Sequence, residues 1–409
     1  MKICIITASL NHGGASVVAQ DVASGMAQKG HDVLFVCSGK KSKNYVQNGY
    51  RIKVLSNIWK NPIYHYANPL LMAKLFCLLH KFKPDILHIH NINLQTFSLG
   101  TLLLSLKYPT IWTLHDLWPI CITGWSNPPD CDQLSKNCYN CPTWPAPVVR
   151  LNRFLKETVS RLSKISVVCP SKWMNEMLQN SKLKYKPVYI VYNGIDKNLF
   201  HFFAGKDQSL KLKSSNNKKI LLFCGGKKLA EQLPAERKGL EYLISALRLL
   251  WKKRDDIELL YIGDDFELPV DFSVPVHFEG RKKRKEMKEY YNRADLFIIP
   301  TLADNFPMTI LEAMACKTPI ISTNIGGIPE IIISNKTGIL CSPRDALDLA
   351  EKIDYALSNP HHCTEMAERA YKRFNEMFTF DRMIDQYENV YIKTVADRQK
   401  AYQYFDPNT

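Results

Sequence analysis

Short apolar runs rich in β-branched side chains alternate along this chain with stretches of helical periodicity. Ile3–Ala8 reads as a buried strand. Asn11-His12-Gly13-Gly14 separates it from a helix beginning near Ala15, with Val18, Val22 and Met26 on one face and Gly30 at its end. Further strands are predicted at Val33–Cys37, Ile86–His90, Thr110–Leu114, Ile165–Cys169 and Val188–Tyr192. A second series starts near Lys219, with strands at Ile220–Cys224, Ile257–Ile262, Val276–Phe278, Leu296–Ile299 and Pro319–Ser322 and a helix over Leu240–Trp251. Alternation of buried, β-branched strands with helices implies parallel sheets covered on both faces. Two such series predict an α/β chain of two Rossmann-like, doubly wound domains with a cleft between them. The first domain is expected over 1–197 and the second over 198–380. The polar stretch Gly205–Asn217 reads as a loop, and the helical pattern from Phe380 predicts that residues 381–409 pack back on the first domain.

With 409 residues, 46% apolar and 23% charged, the composition is that of a globular protein and excludes disorder or collagen. No apolar run reaches the roughly 18 residues needed to span a bilayer; the best, Pro69–Leu79, is interrupted by Lys74. Met1 leads directly into a strand, so no signal peptide is expected. The twelve cysteines then point to reduced thiols or a metal in a cytoplasmic protein. Charge sharpens this picture. The chain carries 54 Lys and Arg against 39 Asp and Glu, a net of +15, and residues 1–197 hold 23 against 9, a net of +14. The remainder is nearly balanced, so an anionic partner is expected for the first domain, and nucleic acid is not.

Gly13 and Gly14, between a strand and a helix, suit either a tight turn or an anion held by helix-terminal N–H groups; they do not form a dinucleotide fingerprint. The segment from Pro300 to Ala315 is more specific. Asp304 lies in a loop after a strand, and Glu312 lies inside a helix opened by Phe306-Pro307, with Pro307 expected at its first position. A helix N-terminus there stabilises phosphate, while flanking carboxylates accept hydrogen bonds from sugar hydroxyls.

Pro300-Thr301, Asp304, Glu312 and the run Ala313 to Ile321 resemble the signature of family 4 glycosyltransferases, retaining enzymes of the GT-B fold. Gly326-Gly327-Ile328-Pro329-Glu330, Gly338-Ile339-Leu340, Asn193-Gly194-Ile195-Asp196 and Lys238-Gly239 resemble further segments of that family, in the family's order. The resemblance implies that Glu312 holds the donor ribose, Asp304 the transferred sugar and Lys238 the diphosphate. Gly13, Gly14, Arg237 and the segment Asn305, Phe306, Pro307, Met308 and Thr309 would complete the donor site. It also implies that His115, in Thr113-Leu114-His115-Asp116, contacts the donor sugar, with Asp116 a lesser candidate. No cofactor is expected for catalysis, because preorganised cations and N–H dipoles stabilise a leaving nucleoside diphosphate. The sequence departs from the family where Asp304 replaces a Glu, Lys317 replaces a Gly at a helix end, and Gly226 stands where an Arg is usual; Lys227, Lys228 or Arg237 is the substitute.

Cys121, Cys131, Cys138 and Cys141 end in a C-x-x-C pair followed by Pro142, a spacing that suits a structural zinc or a set of reduced thiols. The family's polysaccharide-synthesis branch has a similar loop, with Ser126 here at the place of its first Cys. The resemblance therefore implies transfer from a nucleotide-diphosphate-sugar to a glycan or polyprenyl-diphosphate-linked acceptor. A nucleotide-sugar epimerase or hydrolase, a basic zinc-bearing nucleic-acid-binding protein and a catalytically dead binding module are the rival readings. The run Arg281–Lys285 reads mostly as a solvated charged face. Asn68–Phe82 suits either a sheet-covering helix or a membrane contact. The excess charge predicts peripheral binding of residues 1–197 to an anionic membrane surface, at the inner face of the plasma membrane.

Overall fold

The computed structural model describes residues 1–10, 13–57, 68–92, 97–121, 141, 144–179, 181–203, 218–225, 235–264 and 268–403. Contacts divide the chain into two compact units, Met1–Asn193 with Phe380–Thr409, and Gly194–Thr379. The first contains β1 (Lys2–Thr7), α1 (Gly13–Gln28), β2 (Asp32–Gly39), β3 (Lys43–Gln47), β4 (Tyr50–Ser56), α2 (Pro69–Phe82), β5 (Ile86–Ile89), β6 (Thr110–Thr113), α3 (Ala146–Leu162), β7 (Ile165–Cys169), α4 (Lys172–Leu178) and β8 (Val188–Ile190). The second contains β9 (Lys219–Cys224), α5 (Leu240–Trp251), β10 (Ile257–Ile262), β11 (Val276–Phe278), α6 (Met287–Arg293), β12 (Leu296–Ile299), α7 (Met308–Ala315), β13 (Ile320–Thr323), α8 (Ile328–Ile331), β14 (Ile339–Cys341), α9 (Ala346–Ser358) and α10 (Pro360–Met377). The chain then returns to the first unit as α11 (Phe380–Gln403).

The first sheet has the order β3-β4-β2-β1-β5-β6-β7-β8 and is parallel except at β3, which runs antiparallel to β4. The second, β11-β10-β9-β12-β13-β14, is parallel throughout. Successive side chains of a strand point to opposite faces. In the first unit Cys4, Ile6, Val36, Leu87 and Ile89 therefore share one face, where they pack with Leu71, Leu75 and Leu79 of α2. The other face carries Ile5 and His88, paired in register, and meets α11. In the second unit Leu221, Phe223 and Leu259 pack with Leu243, Leu247 and Leu250 of α5 and Leu349 and Ile353 of α9.

β3, β4 and β14 have no counterpart among the sequence-predicted strands. β3 is a polar edge strand, and in β4 charged Arg51 and Lys53 alternate with buried Tyr50 and Ile52. α2 lays its Leu stripe on the sheet, so the sheet-covering alternative for Asn68–Phe82 is the one observed. Pro307 is the N-cap of α7 and not its first residue.

α11 is fixed by polar as well as apolar contacts. Tyr391 hydroxyl and His88 Nδ1 lie 2.7 Å apart, His88 Nε2 and Thr113 Oγ1 2.8 Å, and Thr113 Oγ1 and Tyr387 hydroxyl 3.1 Å. All four residues are buried. At the surface Lys29 reaches Asp385 and Glu388 at 2.7 and 2.6 Å. A buried polar atom that loses its partner costs about 1–3 kcal/mol. Tyr391→Phe, which strands His88 Nδ1, is accordingly expected to lower stability by about that amount in urea unfolding. An unchanged midpoint would show that the hydroxyl does not hold the helix.

Candidate functional site

In the second unit the sequence-predicted donor residues converge beyond the carboxyl end of β12. The turn carrying Arg237 and Lys238 is joined to this edge through one carbonyl. Arg237 O accepts the Leu302 N–H at 2.7 Å and the Thr301 hydroxyl at 2.8 Å. Gly239 follows at φ +73°, and a Cβ there would lie 1.8 Å from Pro300 O, so no other residue fits. The loop's far side is closed in the same way. Gly326 has φ +57°, and a Cβ would fall 1.9 Å from Asp304 O.

These contacts set Lys238 Nζ 2.8 Å from Asp304 Oδ2, with Arg237 Nη2 at 3.9 Å from the same oxygen. Burial pushes the Asp304 carboxyl up, but Lys238 and then Arg237 outweigh it and hold it below the usual carboxylate range. Asp304 is thus an anion facing two cations, beside the start of α7. Asn305, Phe306 and Pro307 are buried in the connection, and Phe306 packs edge-on against Phe378 at 5.7 Å. The first N–H groups of a helix have no intrahelical partner. Near them the buried Thr309 Oγ1 has no hydrogen-bond partner among the described residues.

Glu312 sits within α7, 7% exposed. Its Oε2 accepts the Tyr291 hydroxyl at 3.0 Å, and Arg284 Nε stands 3.7 Å from Oε1. Burial and the adjacent carboxylate push the Tyr291 phenol well above its ordinary range, which keeps it a donor. Neither partner was marked by spacing. Arg284 belongs to the basic run after Gly280, three of whose members are paired: Arg281 with Asp264, Lys282 with Glu279 and Arg284 with Glu312. Arg281, Lys283 and Lys285 are exposed, so the run is mostly a solvated face, from which Arg284 turns inward to Glu312. At the end of α7, Lys317 takes the left-handed conformation, φ +55°, that the family's Gly would take. Its side chain is held by Glu368 at 2.8 Å and lies over Tyr371 and Phe202 at 4.9 and 5.2 Å.

In the first unit the predicted residues lie at the carboxyl edge of the sheet. Gly13, φ +72°, opens α1 after β1, with Gly14 next to it, and His115 follows β6. His115 Nε2 lies 2.8 Å from Nδ1 of His90, which follows β5, and the two rings stack at 5.1 Å. Asp116 Oδ1 accepts the Trp118 N–H at 2.9 Å, which orders this turn. His90 Nε2, Thr7 Oγ1 and Ser9 Oγ are buried and lack a hydrogen-bond partner among the described residues. Buried polar atoms are normally satisfied, so this edge has hydrogen-bonding capacity for a ligand. Cys121 is buried and Cys141 half-buried; Cys131 and Cys138 lie outside the described residues, as do Gly226, Lys227 and Lys228. Among the described residues no group of three His, Cys, Asp or Glu side chains is arranged so that it could hold a metal ion.

Burial, followed by the neighbouring imidazoles, drives His88 and His90 far below the ordinary imidazole range, and burial takes His115 down to about 3. The unfolded chain binds protons at these sites near pH 6.5 and the folded chain does not. Stability from them is therefore complete above about pH 6.5 and lost as pH falls, by about 1.4 kcal/mol per pH unit for each fully buried histidine. Unfolding midpoints measured between about pH 7 and about pH 5 should fall, and His90→Gln should flatten the slope; a flat wild-type profile would contradict neutral burial. In the second unit, Gly326→Ala should force the Asp304 loop away, destabilise the fold by about 1–3 kcal/mol and weaken nucleotide binding. Normal binding by that variant would show that the loop's position is not critical.

Two family models match the chain: Glycosyltransferase Family 4 over residues 12–199 and Glycosyl transferases group 1 over residues 211–373. The N-acetyl-alpha-D-glucosaminyl L-malate synthase of Bacillus anthracis is 26% identical, over 97% of this chain and 98% of its own. Among solved structures, sucrose-phosphate synthase from Thermosynechococcus elongatus superposes with a TM-score of 0.74 at 17% identity, over 97% of this chain and 99% of its own. Anabaena HepE, solved with UDP-glucose, has a TM-score of 0.68 at 17% identity, over 98% of this chain and all of its own. No described helix is long and apolar enough to cross a membrane. Two parallel-sheet units, the ordered motifs and the two family models together place the chain in the group 1 glycosyltransferases, enzymes of the GT-B fold.

Proposed function

We propose that this glycosyltransferase moves a sugar from a nucleotide-diphosphate donor to a glycan or lipid-linked acceptor in surface polysaccharide synthesis, with retention of anomeric configuration. The observation that carries the donor half of this reading is the juxtaposition of Lys238, Asp304, Glu312 and the start of α7 around one sheet edge. Glu312, buried and oriented by Tyr291, has carboxylate oxygens suited to ribose hydroxyls. Lys238 and Arg237 supply positive charge, and the N-terminal amides of α7 supply dipoles, where the leaving diphosphate gains charge. Asp304 accepts hydrogen bonds from hydroxyls of the transferred sugar. HepE, solved with UDP-glucose, supports a nucleotide-sugar donor.

In the step itself the bond between the anomeric carbon and the diphosphate oxygen breaks, and the acceptor oxygen bonds to the same face of that carbon. The acceptor's proton passes to the departing phosphate oxygen. His115, neutral and held by His90, contributes a hydrogen bond to the donor sugar.

The test begins with UDP-, GDP- and ADP-sugars, one of which should raise the melting temperature, since a ligand bound only by the native state stabilises it. With that donor, Glu312→Gln and Lys238→Ala are expected to cut transfer about a hundredfold or more, and His115→Ala about tenfold or more. Unchanged turnover in all three variants would overturn the assignment. Donor consumption without a glycosylated product would favour the epimerase or hydrolase reading instead.

A further inference from the structure

α3 is turned the opposite way from an ordinary surface helix. Its inward residues include polar Asn152, Lys156 and Ser160, alongside Val149. Its outward residues include a set of large apolar ones: Leu151 is 58% exposed, Phe154 65% and Leu162 57%, with Val148 beside them. At about 100° per residue these four fall within about 120° of arc, a single stripe. The inversion has a local cause. Lys156 is buried, donates to the carbonyls of Trp118 and Cys121, and lies 4.5 Å from the Trp118 ring centre. That anchor fixes the rotation of the helix and leaves the apolar stripe outside.

The surroundings of the stripe are basic. Arg150 and Arg161 are exposed on its flank, Glu157 is occupied by Arg153 at 2.9 Å, and the turn Lys182–Tyr185, which packs on α3, adds exposed Lys184 and Tyr185. From Trp144 to Lys186 the sequence has nine Lys and Arg against two acidic residues. Trp144, half-exposed, stands two residues before the helix, next to its N-cap Pro145. α2 offers no such surface: its exposed Leu70 and Phe76 lie about 120° apart around the helix, and its Leu stripe is buried.

We infer that the outer face of α3 docks on an anionic phospholipid surface, with Leu151, Phe154 and Leu162 entering the headgroup–acyl boundary and Arg150 and Arg161 meeting lipid phosphates. Apolar side chains flanked by cations are what an in-plane interfacial helix requires, and anionic lipid complements the charge. The inference goes beyond the donor site and holds whatever sugar is transferred.

The experiment floats the full-length protein with vesicles of phosphatidylcholine alone or mixed equally with phosphatidylglycerol. Wild type should float with the anionic vesicles and not with the neutral ones. Leu151→Ser/Phe154→Ser should lower binding about tenfold or more. Arg150→Gln/Arg161→Gln should weaken binding and reduce its salt dependence, while Leu70→Ser/Phe76→Ser should leave it intact. All four positions of the first two variants are on the surface, so melting temperature and donor-induced stabilisation should not change, which separates this test from the test of the transferase site. Absence of wild-type binding, or equal binding by Leu151→Ser/Phe154→Ser, would overturn the proposal. So would a wild-type dimer in sedimentation that this variant converts to monomer, since a second copy would then cover the stripe.

Discussion

The candidate site in the second unit of this glycosyltransferase depends on the contact between the Arg237 carbonyl and the loop after β12. By accepting from both Thr301 and Leu302, that oxygen fixes the turn that carries Lys238 to the loop that carries Asp304. Glycines at 239 and 326 let two backbones approach where any side chain would collide. The consequence is electrostatic. A lysine brought 2.8 Å from a largely buried aspartate keeps that carboxylate ionised, and each charge offsets the desolvation of the other. On the proposed reading, a nucleotide entering here would meet charges already held in place, and little reorganisation would accompany the chemistry.

The first unit uses burial in a different way. Three histidines at the ends of β5 and β6 are kept neutral by desolvation, and His88 is satisfied on both nitrogens by Tyr391 and Thr113. The C-terminal helix thus links its own folding to the order of the sheet edge on which His115 stands. α3 departs from the usual pattern too, with a lysine inside and leucines outside. Local rules tend to fail at functional places, and both departures fall in the unit that carries nearly all the net charge.

Much of this was legible in the sequence, for physical reasons. The strand Leu296–Ile299 is apolar on both faces because helices cover both, and Ile257–Ile262 is buried throughout and apolar but for Glu258, so the limits of both follow from their apolar runs. The short spacing from Asp304 to Glu312 along one loop and helix made the candidate donor segment visible. β3 and β4 were not visible, because β3 is a largely solvated edge strand and the charges of β4 mask its buried positions. The partners of Glu312 were hidden too: Tyr291 and Arg284 come from a separate helix and loop, and no local periodicity links them to α7. At Lys317 the chemistry of the residue suggested a changed helix end, yet side-chain contacts hold it in the conformation expected of glycine. For α3 periodicity reveals an apolar stripe but not its direction, which one buried lysine decides.

The most direct measurement is a crystal structure of the protein with the stabilising nucleoside diphosphate bound. Density for the diphosphate is expected between Lys238 and the first turn of α7, with ribose hydroxyls on Glu312. A nucleotide bound away from Lys238 and Glu312 would contradict it.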